Sequence, residues 1–160
     1  MNELLAAVLA LAVLALAVYR QMRVRPVNEG RALTLPLVLI VVGVLQGHLI
    51  DSAHASLSIA LLAAELLVGA ALGIVRAYTM RVWRDAQGTL WRKGTTWTIV
   101  AWLVAIAARF GFVAVGSAAG VALETGSILI FLGLSLVVQA VVVAHRARSM
   151  DSAPAVTVEG

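Results

Sequence analysis

Five stretches of this chain are so continuously apolar that water is a poor solvent for any of them. They cover residues 4–19, 32–50, 56–75, 97–115 and 127–144, and they approach the ~20 residues a helix needs to cross a bilayer. In hydrocarbon, backbone N–H and C=O groups must be satisfied within the protein, which leaves helices and closed barrels. Barrel strands alternate apolar and polar side chains; these Leu/Ala/Val runs do not. With 62% hydrophobic and 12% charged residues, against roughly a half and a quarter in globular chains, the sequence predicts an all-α integral membrane protein with five transmembrane helices. Residues 1–148 form one domain, and the tail 149–160, SMDSAPAVTVEG, is small and polar enough to fray.

The basic residues predict how the chain is threaded. Short loops on the cytoplasmic side are enriched in Lys and Arg. If the N-terminus is outside, the inner segments receive all but one of the 12 basic residues: Arg20, Arg23, Arg25 and Arg31, then Arg76, Arg81, Arg84, Arg92 and Lys93, then Arg146 and Arg148. The exception, Arg109, lies inside the fourth run. The stub MNELL is acidic, whereas a cleaved signal peptide opens on a basic region, so the first run reads as a retained helix. The expected topology is N-out, C-in. The net charge of +4 then serves topology and attraction to anionic headgroups, about 1 kcal/mol per basic residue near the surface, rather than nucleic acid. The absence of cysteine excludes a dithiol relay, a disulfide framework or a thiolate metal site within the chain. An odd number of helices and no convincing repeat argue against the inverted halves of many secondary transporters.

The polar segment MRVWRDAQGTLWRKGT, Met80–Thr95, predicts an interfacial β-hairpin over about 79–94. Arg81 faces Lys93, Trp83 faces Trp91 and Asp85 faces Thr89, leaving Ala86, Gln87 and Gly88 as a three-residue loop with glycine at its left-handed position. Tyr78 and Trp97 bracket the segment, and tryptophan favours the headgroup level. Arg81, Trp83, Arg84, Trp91, Arg92 and Lys93 are therefore candidates for contact with a partner or a headgroup. The alternative is that the hairpin only staples the third and fourth helices.

The pattern GxxRAYTMRVWRDAQGTLWRKGTTWTxxxW, Gly73–Trp102, followed by Arg109, resembles the CcdC-type bacterial membrane proteins. That family is mostly filed as a domain of unknown function and is tied by name to cytochrome c biogenesis. The resemblance covers a fifth to a quarter of the chain. It implies a small multi-helix fold in a bacterial cytoplasmic membrane and an accessory role, and it brings no catalytic residues.

Two charges are predicted inside the bilayer. At 1.5 Å rise per residue, Glu65 lies about 16 Å from Arg76 and Arg109 about 18 Å from Trp97, which puts them at similar depth on antiparallel neighbours. A lone charge there costs ~2.5–3.5 kcal/mol on insertion scales, so the two are expected to pair if their faces agree. The pair is either a structural clamp or a polar site for an anionic or protonatable group. Gln139, with Ser135 a turn earlier, and Gln46 are expected to complete such a site or to act as interhelical glue.

Two GxxxG motifs, Gly43/Gly47 and Gly69/Gly73, predict close helix packing within the chain or between chains. His48 and His54, with Asp51, are the weak metal or haem candidates; their spacing matches no haem or zinc motif, and no cofactor is expected. No nucleophile elbow, HExxH or P-loop is present. The expected function is a non-catalytic bundle that binds or scaffolds a lipid, another membrane protein or a second copy. The alternatives are a small transporter or channel built on Glu65 and Arg109, and an intramembrane lipid-modifying enzyme using Glu65 or Asp51.

Overall fold

The computed structural model describes residues 12, 15–16, 18–27, 29–47, 50, 54–121 and 125–150. It is mostly helical. The described residues of the first apolar run are helical, and residues 18–22 form a helical end that leads into strand β1 (Arg25–Pro26). Helices α1 (Glu29–Leu45) and α2 (Ala55–Thr79) follow, then strands β2 (Arg81–Arg84) and β3 (Leu90–Lys93), and helices α3 (Thr96–Ala118) and α4 (Thr125–Ser149). Among the described residues three helices, α2, α3 and α4, are long and apolar enough to cross a membrane. Their outward faces carry large apolar side chains such as Leu67, Leu103 and Phe110, as helices solvated by lipid would.

Helix α1 corrects the expected 32–50 span. It stops at Leu45: Gln46 turns, and Gly47 takes a left-handed φ of +68° while its N–H donates to the Val44 carbonyl at 3.1 Å. Its apolar part, Ala32–Leu45, is shorter than those three helices and contains Pro36. In the other direction, α2 runs four residues past the expected 75, carrying Arg76 and Tyr78 on the helix, and α4 runs past 144 to carry His145, Arg146 and Arg148. Capping contacts fix the end of α2 and both ends of α3. Arg146 Nη1 donates to the Ala77 and Met80 carbonyls, satisfying acceptors that the end of α2 leaves open. At the start of α3, Thr98 Oγ1 accepts the Thr95 N–H at 3.0 Å, and Thr95 Oγ1 donates to the Thr79 carbonyl at 2.8 Å. Helix α3 ends in a Schellman motif, with Val121 N–H on the Gly116 carbonyl (2.8 Å) and Gly120 N–H on the Ser117 carbonyl (3.1 Å).

Helix α4 is central and packs against both α1 and α2, while α2 also packs against α3. Small residues permit this. A Cβ on Gly43 would lie 2.8 Å from the Gly126 carbonyl oxygen, one on Gly69 would lie 2.8 Å from the Phe131 ring, and one on Gly73 would strike the Ser135 backbone. These three glycines therefore serve packing within the chain. Gly47 does not: nothing lies within 4 Å of its would-be Cβ, and it ends a helix instead of extending a packing stripe.

The hairpin has the predicted register, Arg81 opposite Lys93 and Trp83 opposite Trp91, with Asp85 N–H bonded to the Thr89 carbonyl at 3.0 Å and Gly88 at φ +83°. The sheet, however, has three strands rather than two, in the order β1–β3–β2. Arg25 faces Arg92 and Pro26 faces Trp91. Pro26 lacks an N–H, which an edge strand tolerates. Gly94 lets the chain after residue 20 approach the hairpin base: its N–H donates to the Gln21 carbonyl at 2.8 Å, and a Cβ there would lie 2.9 Å from the same oxygen.

Candidate functional site

The two charges expected inside the bilayer meet. Glu65 on α2 is fully buried, and its Oε1 accepts a hydrogen bond from Arg109 Nη1 on α3. Arg109 Nη2 donates to Ser127 Oγ on α4 at 3.0 Å, so three helices join at one layer. Glu65 Oε2 and Arg109 Nε are buried without a hydrogen-bond partner. The contact is therefore single-pronged, and an isolated charge of either sign here would be severely penalised. Neither of the two cavities that border the sheet is lined by this layer. Chemically the arrangement is a closed ion pair tied to a hydroxyl.

The expected supporting residues lie elsewhere. Gln46 is exposed in the turn after α1. Gln139 is about 18 Å further along α4 than Ser127, at 1.5 Å per residue, and Ser135 is committed to Arg76. The residue that does complete the layer, Ser127, sits at the very start of the fifth run, where it read as a boundary. His48 and Asp51 lie outside the described residues, and His54 is exposed at the start of α2. Among the described residues no three His, Cys, Asp or Glu side chains gather.

Arg76 is the residue that sequence reasoning missed. Its place just past the apolar run assigns it to the loop charges that set topology, yet it is on α2 and fully buried. Its Nη2 donates to Ser135 Oγ, and its guanidinium lies 4.1 Å from the centroid of the Trp102 ring. The signal was present in the spacing: Glu65, Gly69, Gly73 and Arg76 recur at intervals of four, four and three, which is one face of a helix.

Beside Arg76, a chain of polar contacts ties four segments together. Trp102 Nε1 donates to Gln21 Oε1 at 3.0 Å, Gln21 Nε2 donates to Gln139 Oε1 at 3.4 Å, and Gln139 Nε2 donates to Met80 Sδ at 3.2 Å. The adjacent sheet has two distinct faces. Val82 packs on the buried cluster of Ala77, Met80 and Val143, and by strand alternation Arg92 and Arg25 share its face. Arg81, Trp83, Trp91 and Lys93 occupy the other face; Arg84, at the end of β2, is exposed.

Each face borders a cavity. On the Arg92 side, a half-open cavity of about 450 Å³ is lined by Arg20, Gln21, Arg25, Arg92 and Gln139, with Leu35, Pro36, Leu136 and Ala140 as its apolar wall. On the other side, a groove of about 940 Å³ runs along Tyr78, Arg81, Trp83, Lys93, Trp97 and Arg146. Burial, and next the nearby Arg25 charge, pull the pKa of Arg92 below the ordinary arginine value. At the turn, Asp85 Oδ2 accepts from the Trp91 indole at 2.8 Å, and Oδ1 accepts the Thr89 and Gln87 N–H groups at 2.8 and 2.9 Å. These bonds, the indole's first, hold the Asp85 pKa below the usual aspartate value.

No protein-family model, curated protein or solved structure matches the chain.

Proposed function

We propose that this chain is a non-catalytic five-helix bundle of a bacterial cytoplasmic membrane, N-terminus out and C-terminus in, which holds anionic headgroups or a membrane partner at its basic hairpin end. The observation that carries the reading is the outer face of the sheet. Arg81 and Lys93 stand beside Trp83, with Tyr78 and Trp97 exposed on the flanking helix ends, and basic residues mixed with amphipathic aromatics suit the headgroup level. The resemblance to CcdC-type proteins agrees with a small accessory bundle, and an association with cytochrome biogenesis is part of the same proposal. No cofactor takes part in it.

The transport alternative rests on Glu65 and Arg109. Their closed pairing and the full burial of Glu65 favour a clamp between α2, α3 and α4 over a conduction path. The test of the main reading is the melting midpoint in nanodiscs of phosphatidylcholine alone and of phosphatidylcholine with phosphatidylglycerol. Wild type is expected to melt higher in the anionic discs, and Arg81→Gln/Lys93→Gln to lose part of that gain, since each basic residue near the surface contributes about 1 kcal/mol. Equal midpoints of wild type in both discs would sink the reading.

A further inference from the structure

The cavity on the bundle side of the sheet gathers positive charge from distant parts of the chain. Arg20 and Arg25 come from the segment before α1, and Arg92 comes from β3. Arg25 and Arg92 are directly opposite in the antiparallel ladder, where side chains start about 5 Å apart and like charges destabilise the pair. Among the described residues lining the cavity none is acidic. Behind the floor, Trp102 carries the buried Arg76 against its ring, adding more positive charge.

The floor also presents donors. An indole N–H can only donate, so Trp102 requires Gln21 to offer its oxygen. Gln21 must then turn its amide nitrogen to Gln139, which answers with oxygen and turns its own nitrogen to Met80. Each amide nitrogen carries two hydrogens, and these contacts use one from each, whereas both amide oxygens are engaged. Guanidinium groups bind phosphate through paired N–H donors. The remaining wall, Leu35, Pro36, Leu136 and Ala140, is apolar, and Leu35 is exposed at its edge on α1. The volume falls within the roughly 300–1,000 Å³ of small-ligand sites.

We propose that this cavity is a specific site for a phospholipid with a phosphate-bearing anionic headgroup, its phosphate held by Arg20, Arg25 and Arg92 and its acyl chain laid along Leu35, Pro36 and Leu136. The inference rests on the membrane-bundle reading above and sharpens it from a general anionic surface to one bound molecule. A soluble phosphate would share the headgroup chemistry but would leave the apolar wall unused.

The test uses the full chain purified in a non-ionic detergent. Native mass spectrometry counts bound lipid, and melting midpoints are taken with phosphatidic acid, with phosphatidylcholine and with inorganic phosphate as separate probes. Wild type is expected to retain one phosphatidic acid in preference to phosphatidylcholine. Arg25→Gln/Arg92→Gln should weaken that binding by roughly tenfold or more, because charge-assisted hydrogen bonds are lost. Arg81→Gln/Lys93→Gln removes the same charge from the opposite face and should weaken retention of that one lipid far less than the pocket variant, although it lowers the general attraction to an anionic surface. Without lipid, Arg25→Gln/Arg92→Gln should melt no lower than wild type, because it relieves a like-charge pair; Arg20→Gln, at the exposed rim, repeats the test without touching the ladder. Retention of the lipid by both Arg25→Gln/Arg92→Gln and Arg20→Gln overturns the site. Equal loss in the pocket and outer-face variants also overturns it but leaves the general basic-surface reading standing. Inorganic phosphate matching phosphatidic acid in its effect on the midpoint overturns the lipid assignment.

Discussion

Replacing Arg109 by leucine tests the clamp most directly. The change removes the donor to Glu65 Oε1 and leaves a fully buried carboxylate whose other oxygen already has no partner. Breaking a buried ion pair from one side costs about 3–5 kcal/mol, and Ser127 loses its guanidinium as well. At about 1.4 kcal/mol per factor of ten, this shifts the folding equilibrium by more than two orders of magnitude. Glu65→Leu should cost a comparable amount by stranding Arg109. Glu65→Gln keeps an acceptor for Arg109 Nη1 and should cost less. Glu65→Leu/Arg109→Leu removes both charges and should recover most of the loss, because well-packed apolar replacements of buried pairs are often neutral or stabilising. The assay is reversible unfolding in mixed micelles with increasing SDS, followed by helical circular dichroism, with the four proteins analysed as a double-mutant cycle. Single variants within about 0.5 kcal/mol of wild type, or a double variant as unstable as the sum of the singles, would refute the clamp.

Two further predictions concern packing and the turn. Gly73→Ala should destabilise by about 1–3 kcal/mol as an overpacked contact, because its Cβ meets the Ser135 backbone, whereas Gly111→Ala, with nothing within 4 Å, should be neutral or slightly stabilising in the same SDS titration. Asp85 has a depressed pKa, so its stabilisation of the turn is complete above the unfolded aspartate value of about 3.9 and is lost as pH falls through the lower folded value. The Trp91 indole N–H resonance should therefore move with a midpoint below that value, and the movement should be absent in Asp85→Asn; a midpoint at or above it would show that the hydrogen bonds do not hold in solution.

Local features of the fold were readable before the structure. The hairpin register needed only residues 81–93, because a short loop with glycine at its left-handed position dictates which residues face each other. The matching depth of Glu65 and Arg109 needed only the helical rise counted from a shared loop. Helix ends were less legible. The Gly47 turn stops α1 inside an apolar run, and Arg146, on another helix, caps α2 beyond the point where its apolar run stops.

The sequence by itself determined that the chain is built of apolar helices of membrane-spanning length, where its charges fall along them, and how the hairpin pairs. These follow from periodicity, length and turn chemistry, all properties of contiguous residues. Tertiary structure alone decided how each helix is rotated and which distant segments touch. That choice buried Arg76 on Trp102, assigned Ser127 rather than Gln139 to Arg109, and added β1 to the sheet so that Arg20, Arg25 and Arg92 line one cavity. The physical reason is that rise along a helix is a local constant, whereas its azimuth is set by the neighbours it packs against, here through the close approach of α4 to Gly43, Gly69 and Gly73.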